Sequence, residues 1–161
     1  MSTIYYVGTP IGNLKDITFR AIEILEQVDL ILAEDTRNTK KLLNRYNIQT
    51  KLISYHEHNK EKRLPAIIKA LDNGDLALVS DAGTPSIHDP GTFLASSILE
   101  TEHKIVPIPG PSSITTALSV SGVNSEYFTF LGFLPHQKSQ REVIIDKITS
   151  MENTCIFFET P

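Results

Sequence analysis

The chain has 161 residues, of which 40% are hydrophobic and 21% charged, and its formal net charge is −4. Domains commonly hold roughly 100 to 150 residues, so this length allows one full core and part of a second. The apolar runs are of strand length, so we predict no membrane span. One cysteine, Cys155, excludes a disulfide framework. The N-terminus lacks a signal-peptide pattern, so we expect a reducing, cytoplasmic location.

Positive charge is concentrated in one segment of the chain. Residues 37–63 hold eight Lys and Arg but only two Glu, so this segment carries +6 and the remainder −10. Such a cluster is either a docking face for phosphate groups or a solvated helix face, and the sequence leaves both interpretations open.

Strand-like and helix-like patterns alternate along the first part of the chain, which is typical of a mainly parallel sheet with flanking helices. Asp16 is a plausible N-cap for the first helix, and Pro65 is tolerable in the third only within its first turn. In chain order we predict strand 4–8, a helix from the Asp16 cap to residue 28, strand 30–33, helix 39–46, strand 51–55, helix 62–71, strand 76–80, helix 93–99, strand 105–108 and helix 112–120.

The pattern restarts after Gly122 and does not simply continue. A strand at 127–134, a helix at 140–148 and a strand at 155–159 follow, and the sequence then stops. We therefore predict an N-terminal α/β domain with five mainly parallel strands over residues 1–122. Residues 123–161 are predicted to be the truncated start of a second α/β domain.

Polar or glycine-rich loops follow all five predicted strands of the first domain. The longest is VSDAGTPSIHDPG, residues 79–91, in which Gly83 permits close backbone approach while Pro85 and Pro90 reduce the entropy of the free loop. In open α/β sheets, ligands bind beyond the carboxyl ends of the strands. The five loops therefore predict one shared ligand-binding cleft.

Several residues of these loops also have purely structural interpretations. Ser112 and Ser113 place backbone amides at a helix N-terminus, where they either bind a ligand or simply cap the helix. Glu34, Asp35 and Arg37 either pair as ions or take part in catalysis. His56 and His58 point the same way on a strand, but no third ligand is evident, so we predict no metal site.

Six ordered segments carry a resemblance to a known family: VGTPIGNL with DIT (7–18), AEDTR (33–37), YH with HN (55–59), the loop 80–91, PGPS (109–112) and FLGFLP (130–135). They resemble the family of ribosomal RNA small subunit methyltransferase I enzymes, within the tetrapyrrole methylase superfamily. The resemblance implies two α/β domains, usually in a homodimer, with S-adenosylmethionine in the cleft between them. It implies methylation of the ribose 2′-hydroxyl of a cytidine in small-subunit (16S) ribosomal RNA.

The resemblance also implies which residues contact the cofactor. They are Gly8, Thr9 and Pro10 after the first strand, Asp81, Gly83, Thr84, Ser86 and Ile87 after the fourth, Ser112 and Ser113 after the fifth, and Thr160 in the second domain. Family members continue well beyond residue 161, so half of the expected cleft wall lies outside this chain.

The chemistry implied by the resemblance needs no metal, because a sulfonium methyl group is already a strong electrophile. The candidate proton acceptors for the ribose hydroxyl are Asp35, His56 and Asp81. Arg37, together with Lys40, Lys41 and Arg45, is expected to bind RNA phosphate.

Two alternatives stay open. A methyltransferase of the same superfamily could act on a tetrapyrrole, a protein side chain or another small substrate. Such a substrate would not explain the positive charge of residues 37–63. An inactive truncated fragment would only dimerise or bind RNA.

Overall fold

A computed structural model describes residues 1–87, 89 and 91–159, and within them lies an α/β fold with one five-stranded sheet and one two-stranded sheet. The five-stranded sheet has the order β3-β2-β4-β1-β5, and all neighbouring strands are parallel. Its strands are β1 (Thr3–Val7), β2 (Leu30–Ala33), β3 (Leu52–Ser54), β4 (Leu76–Val79) and β5 (Lys104–Ile108). The predicted fold class is confirmed.

The first four helices of the chain cover both faces of this sheet. The helices are α1 (Phe19–Gln27), α2 (Thr36–Arg45), α3 (Lys60–Leu71), α4 (Gly91–Leu99), α5 (Ser113–Ser121) and α6 (Lys138–Thr149). One core cluster packs α1 and α2 against one face, and a second packs α3 and α4 against the other. Every residue of β4 is therefore buried, which explains its continuous apolar run.

The first helix begins later than the sequence predicts. Asp16 belongs to a short 3-10 helix, Leu14–Asp16, which Asn13 caps. The cap of α1 is Thr18, whose Oγ1 accepts a hydrogen bond from the backbone N–H of Ala21 at 3.1 Å. The prediction of Asp16 as the cap is wrong because Thr18 is an equally suitable cap and directly precedes the helical turn that buries Ala21.

The third helix begins earlier than predicted, at Lys60, so that Pro65 is its sixth residue and lies outside the first turn. The expected position of Pro65 is therefore wrong. Pro65 has no N–H to donate to the carbonyl of Glu61, but it lies on the exposed side of α3. The opposite side buries Ile67 and Leu71, and this packing holds the helix together across the missing bond.

The chain divides into two compact units, one from Met1 to Ser112 and another that begins at Ser113. The second unit contains α5, β6 (Phe128–Phe133), α6 and β7 (Thr154–Phe158), with β6 and β7 paired in parallel. This division lies before α5, whereas the boundary drawn from the sequence, between residues 122 and 123, lies after it. The assignment of domains stays a prediction.

Candidate active site

The connections that leave the neighbouring strands β1 and β4 run in opposite directions across the sheet. From β1 the chain passes beyond β4 to reach β2, and from β4 it passes beyond β1 to reach β5. Such a switch point leaves a crevice at the carboxyl ends of the two strands, which is where ligands bind in open α/β sheets. The predicted cofactor residues Gly8, Thr9 and Pro10 follow β1, and Asp81 and Gly83 follow β4.

Three loops meet at this crevice. Thr9 and Gly83 form an antiparallel bridge in which each backbone N–H donates to the other residue's carbonyl, at N–O distances of 2.9 and 3.0 Å. A β-carbon on Gly83 would lie 3.6 Å from Ile11 Cγ2 and 3.7 Å from the Pro111 carbonyl oxygen. The loop after β4 therefore packs against the loops after both β1 and β5, as the sequence predicts.

Three of the glycines here are required by the backbone itself. A β-carbon on Gly8 would lie 2.8 Å from Gly110 Cα, and one on Gly110 would lie 2.8 Å from the Gly8 carbonyl oxygen. Gly83 has a φ of 82°, in the left-handed region that favours glycine. These glycines bring main chain close to main chain, so no side chain separates the loops at the crevice.

Buried hydroxyl groups fix the start of the loop after β4. Thr9 is 3% exposed, and its Oγ1 donates to the Ser80 carbonyl at 3.1 Å. The Ser80 hydroxyl in turn donates to the Gly83 carbonyl at 3.1 Å. Because these buried polar groups are satisfied, the loop is held in one conformation. The sequence interpretation did not assign Ser80 to the site, although a serine directly after a buried strand was a usable signal.

Asp81 connects the loop after β4 to the beginning of α2. Its Oδ1 accepts from the backbone N–H of Asp35 at 3.0 Å, and its Oδ2 accepts from Asn38 Nδ2 at 3.2 Å. Asp35 is the N-cap of α2. A carboxylate at a helix N-terminus is favoured by the helix dipole. The structure thus brings together two of the predicted catalytic residues.

Asp35 is engaged by Arg37. Arg37 Nε and Nη2 donate to the two carboxylate oxygens of Asp35, at 3.1 Å to Oδ1 and 2.6 Å to Oδ2. These hydrogen bonds lower the pKa of Asp35 from 3.8 to about 2. A carboxylate with so low a pKa is a weak proton acceptor, so the pairing favours Asp81 and His56 over Asp35 for that role.

Glu34, for which the sequence left an ion pair and a catalytic role open, is a further candidate proton acceptor. It is half-buried at the end of β2, and burial raises its pKa, as do the neighbouring carboxylates of Asp81 and Asp89. A raised pKa makes a carboxylate a better proton acceptor. The sequence shows Glu34 beside Asp35, but the burial that distinguishes the two residues becomes visible only in the fold.

His56 follows β3 and packs beside Asn59. Its backbone N–H donates to Asn59 Oδ1 at 2.9 Å, and its Nε2 lies 3.1 Å from Asn59 Nδ2. Its Nδ1 is buried and has no hydrogen-bond partner among the described residues. The rings of His56 and His58 meet edge to face, with their centroids 6.0 Å apart. Within the part of the chain that the structure describes, no group of three or more His, Cys, Asp or Glu residues could hold a metal ion.

Ser86 combines a strained backbone with an unused hydroxyl group. Its φ is 74°, which is unfavourable for a residue with a side chain. Its backbone N–H donates to Asp89 Oδ1 at 2.7 Å, but its Oγ is buried and lacks a partner in residues 1–87, 89 and 91–159. Strain of this kind is typical of ligand-binding loops.

The other predicted residues lie at several places. Thr84 and Ile87 are exposed on the loop after β4, and Ser112 ends the first unit while Ser113 begins α5 of the second. Thr160 lies outside the described residues. The predicted phosphate-binding residues Arg37, Lys40, Lys41 and Arg45 are all exposed on α2. No helix in the described ranges is long and apolar enough to span a membrane.

Comparison with known proteins identifies the family. Residues 3–161 match the family described as Tetrapyrrole (Corrin/Porphyrin) Methylases. The chain belongs to the tetrapyrrole methylase family. Among members of this family, a Halalkalibacterium halodurans protein named ribosomal RNA small subunit methyltransferase I is 52% identical over 160 residues, covering 99% of this chain and 55% of that protein. A Bacillus subtilis protein of the same name is 48% identical over 162 residues, covering 100% of this chain and 56% of that protein.

The resemblance recognised in the sequence is confirmed. This tetrapyrrole methylase chain spans about half the length of the curated relatives it matches. Solved structures show the same fold. Diphthine synthase has a TM-score of 0.79 at 15% identity, over 100% of this chain and 66% of its own. Uroporphyrin-III-C-methyltransferase from Thermus thermophilus has a TM-score of 0.60 at 19% identity, over 81% of this chain and 59% of its own.

Proposed function

We propose that this chain forms the methyl-donor-binding part of an S-adenosylmethionine-dependent methyltransferase. The enzyme methylates the ribose 2′-hydroxyl of a cytidine in small-subunit ribosomal RNA, as a cytoplasmic homodimer. The observation that carries the proposal is the junction of the loops after β1, β4 and β5 at the switch point, with Thr9 and Gly83 bonded backbone to backbone. The family match supports methyl transfer, and the names of the relatives support the RNA substrate.

The residues at this junction fit such a cofactor. An adenosine with an amino-acid tail needs hydrogen-bonding groups for its ribose and carboxylate, and apolar contact for its base. The buried Ser86 hydroxyl group, which no described group binds, supplies one such contact, and the exposed side chain of Ile87 supplies an apolar surface. The glycines at positions 8, 83 and 110 carry no side chain, which lets a ligand approach the main chain closely.

When bound, S-adenosylmethionine supplies a methyl group on a positively charged sulfur. The chain's own residues then orient the ribose, exclude water and accept the hydroxyl proton. Asp81 is held in a fixed direction by the Asp35 N–H and Asn38, and the pKa of Glu34 is raised, so these two carboxylates join His56 as candidate acceptors. Arg37 and the lysines of α2 neutralise RNA phosphates.

Titration calorimetry with S-adenosylmethionine tests the cofactor site. Ser86→Ala removes a hydroxyl group that no described residue binds, so folding is retained while cofactor affinity falls by about 10-fold, the loss of one hydrogen bond. Gly12→Ala is the matched control in a neighbouring loop, since no described atom lies within 4 Å of a β-carbon there. Absence of binding to the unmodified chain would contradict the proposal for this chain.

Transfer of labelled methyl groups to small ribosomal subunits that lack the modification tests the substrate. We expect label in the RNA at one cytidine, on its 2′-oxygen. Label in a tetrapyrrole but not in RNA would overturn the substrate while leaving the family unchanged. Cofactor binding without any transfer would favour the inactive fragment.

A further inference from the structure

A groove of about 590 Å³ lies between helix α2 and strand β3, at the edge of the five-stranded sheet. Its lining residues do not include any of the predicted cofactor residues. Its volume falls within the range of roughly 300–1,000 Å³ that is usual for ligand sites. The methyl-transfer chemistry makes no use of this groove, so its role is a separate question.

The groove has an apolar floor and a polar rim. Leu43 and Ile48 are both 4% exposed and form part of the floor. Asn44 and Gln49 are exposed at the rim, with no side-chain hydrogen bond to any described residue. A surface of this kind suits a nucleotide base, which presents an apolar face and a hydrogen-bonding edge.

One wall of the groove is the free edge of the sheet. Strand β3 pairs with β2 through the Lys51 carbonyl, which accepts from Ile31 N–H at 2.8 Å, and through Tyr55 N–H, which donates to the Ala33 carbonyl at 2.7 Å. Because backbone groups of a strand alternate in direction, the N–H and C=O of Leu52 point away from β2. Leu52 lines the groove, so its main chain offers one donor and one acceptor there.

The charge of the groove is positive. Arg37 and Lys40 line it, and none of its described lining residues is acidic. Asp35 neutralises part of the Arg37 charge, whereas Lys40 has no acidic partner among the described residues. Lys41 and Arg45 lie on the same helix but do not line the groove. The four basic residues of α2 are therefore not equivalent.

The groove also connects to the candidate active site. Arg37 lines the groove and binds the Asp35 carboxylate, and the Asp35 backbone N–H binds Asp81 in the loop after β4. The groove face of α2 runs from Thr36 to Asn44, about 12 Å at 1.5 Å per residue. An RNA segment that lies along this face therefore reaches the carboxyl ends of the strands, where methyl transfer is proposed.

We propose that the groove between α2 and β3 binds a single-stranded RNA segment, with Lys40 and Arg37 on its phosphates and its bases over the apolar floor. This inference rests on the proposed function, because it gives the route by which the RNA substrate reaches the active site. RNA is favoured over an added β-strand from a second copy or from a peptide because the rim is cationic and the region 37–63 carries +6 within a chain of net charge −4.

Binding of a labelled short single-stranded RNA to the full chain, over a series of salt concentrations, tests the groove. Lys40→Gln is expected to weaken binding about 5-fold and to lower the slope of log K against log salt by roughly 0.7, the loss of one phosphate contact. Lys69→Gln is the matched control, with the same charge change at an exposed position of α3 outside the groove, and is expected to leave the slope unchanged. Equal effects of both substitutions, or no RNA binding by the unmodified chain, would overturn the proposal that the groove binds RNA.

A second variant tests the shape of the groove without any change in charge. Asn44→Phe fills the rim, so RNA affinity falls, and the KM for RNA rises while kcat is unchanged. RNA is also expected to slow hydrogen exchange at the Leu52 amide. If Lys40→Gln and Asn44→Phe both transfer methyl groups with an unaltered KM for RNA, the groove is not the RNA site, but the proposed function stands. A shift from dimer to monomer in these variants, without loss of RNA affinity, would assign the groove to a second copy instead.

Discussion

The carboxylate of Asp35 binds two groups of Arg37, its backbone N–H and its guanidinium. The guanidinium side chain is 87% exposed, so water competes with the pair and its contribution to stability is small. Its effect on charge is larger, because the pKa of Asp35 falls from 3.8 to about 2. The stabilisation is therefore present above pH 3.8 and is lost as the pH falls towards 2.

Replacing Arg37 is expected to restore an ordinary acidity to Asp35. In Arg37→Ala the pKa of Asp35 rises from about 2 towards 3.8, because the side-chain hydrogen bonds that lower it most are removed. The measurement is an NMR titration of the Asp35 carboxyl carbon. Arg45→Ala, in the last turn of the same helix, is the control and leaves the midpoint in place. A midpoint that stays near 2 in Arg37→Ala would mean that the remaining backbone hydrogen bonds suffice.

Glu34 has the opposite behaviour, since burial and the carboxylates of Asp81 and Asp89 raise its pKa. Glu34→Gln is expected to slow methyl transfer at saturating cofactor and RNA by about 100-fold, the low end for loss of a general base. Because ionised Glu34 opposes folding above its raised pKa, the same substitution raises the free energy of unfolding at pH 7. Glu23→Gln, on the exposed side of α1, is the control for both measurements. An unchanged rate with increased stability would limit Glu34 to a structural role.

At the scale of the elements, the strands were easier to predict than the helix ends. The strands of the first unit are mostly apolar runs, with buried residues in all but β3, which is half-buried, and each lies within two residues of its predicted bounds. The starts of α1, α2 and α3 were misplaced, that of α2 by three residues, because several polar residues near each start are competent caps, and tertiary packing selects among them. The predicted meeting of the loops followed from parallel pairing alone. The burial of Glu34 did not, because it depends on side chains from other loops.

The close approach of the loops after β1 and β5 makes a prediction at this scale. Gly8→Ala is expected to lower the free energy of unfolding by about 2 kcal/mol, since its β-carbon would lie 2.8 Å from Gly110 Cα and neither backbone can yield cheaply. The measurement is denaturant unfolding with Gly12→Ala as the matched control, where a β-carbon has open space among the described residues. Equal stabilities of the two variants would show that the loops separate easily.

For the whole molecule, the two units differ in how well they are buried. Both core clusters lie within the first unit. In the second unit, Leu134 is the one buried large hydrophobic residue among those described, while Val120, Tyr127, Val143 and Phe157 are exposed. The sequence could place a second α/β segment from its periodicity, but periodicity does not report whether the apolar face of an element is covered.

Hydrogen exchange measures this difference directly. We expect amides of β1, β2 and β4 to exchange at rates near those of global unfolding, because these strands are buried on both faces. Amides of β6 and α6 are expected to exchange faster, by local opening of the second unit, since α6 has no buried residue. Uniform protection along the whole chain would contradict the division and indicate a single cooperative unit.

The strand order has a consequence for the growing polypeptide. β1 pairs with β4 and β5, so Ile4 and Val7 are synthesised long before the strands they pair with, which begin at Leu76 and Lys104. At roughly 5–20 residues per second of translation, β1 stays unpaired for several seconds after it is made. During that interval its apolar side chains are open to chaperones and to neighbouring nascent chains. Synthesis of β4 joins β1 to β2, and β5 then completes the sheet.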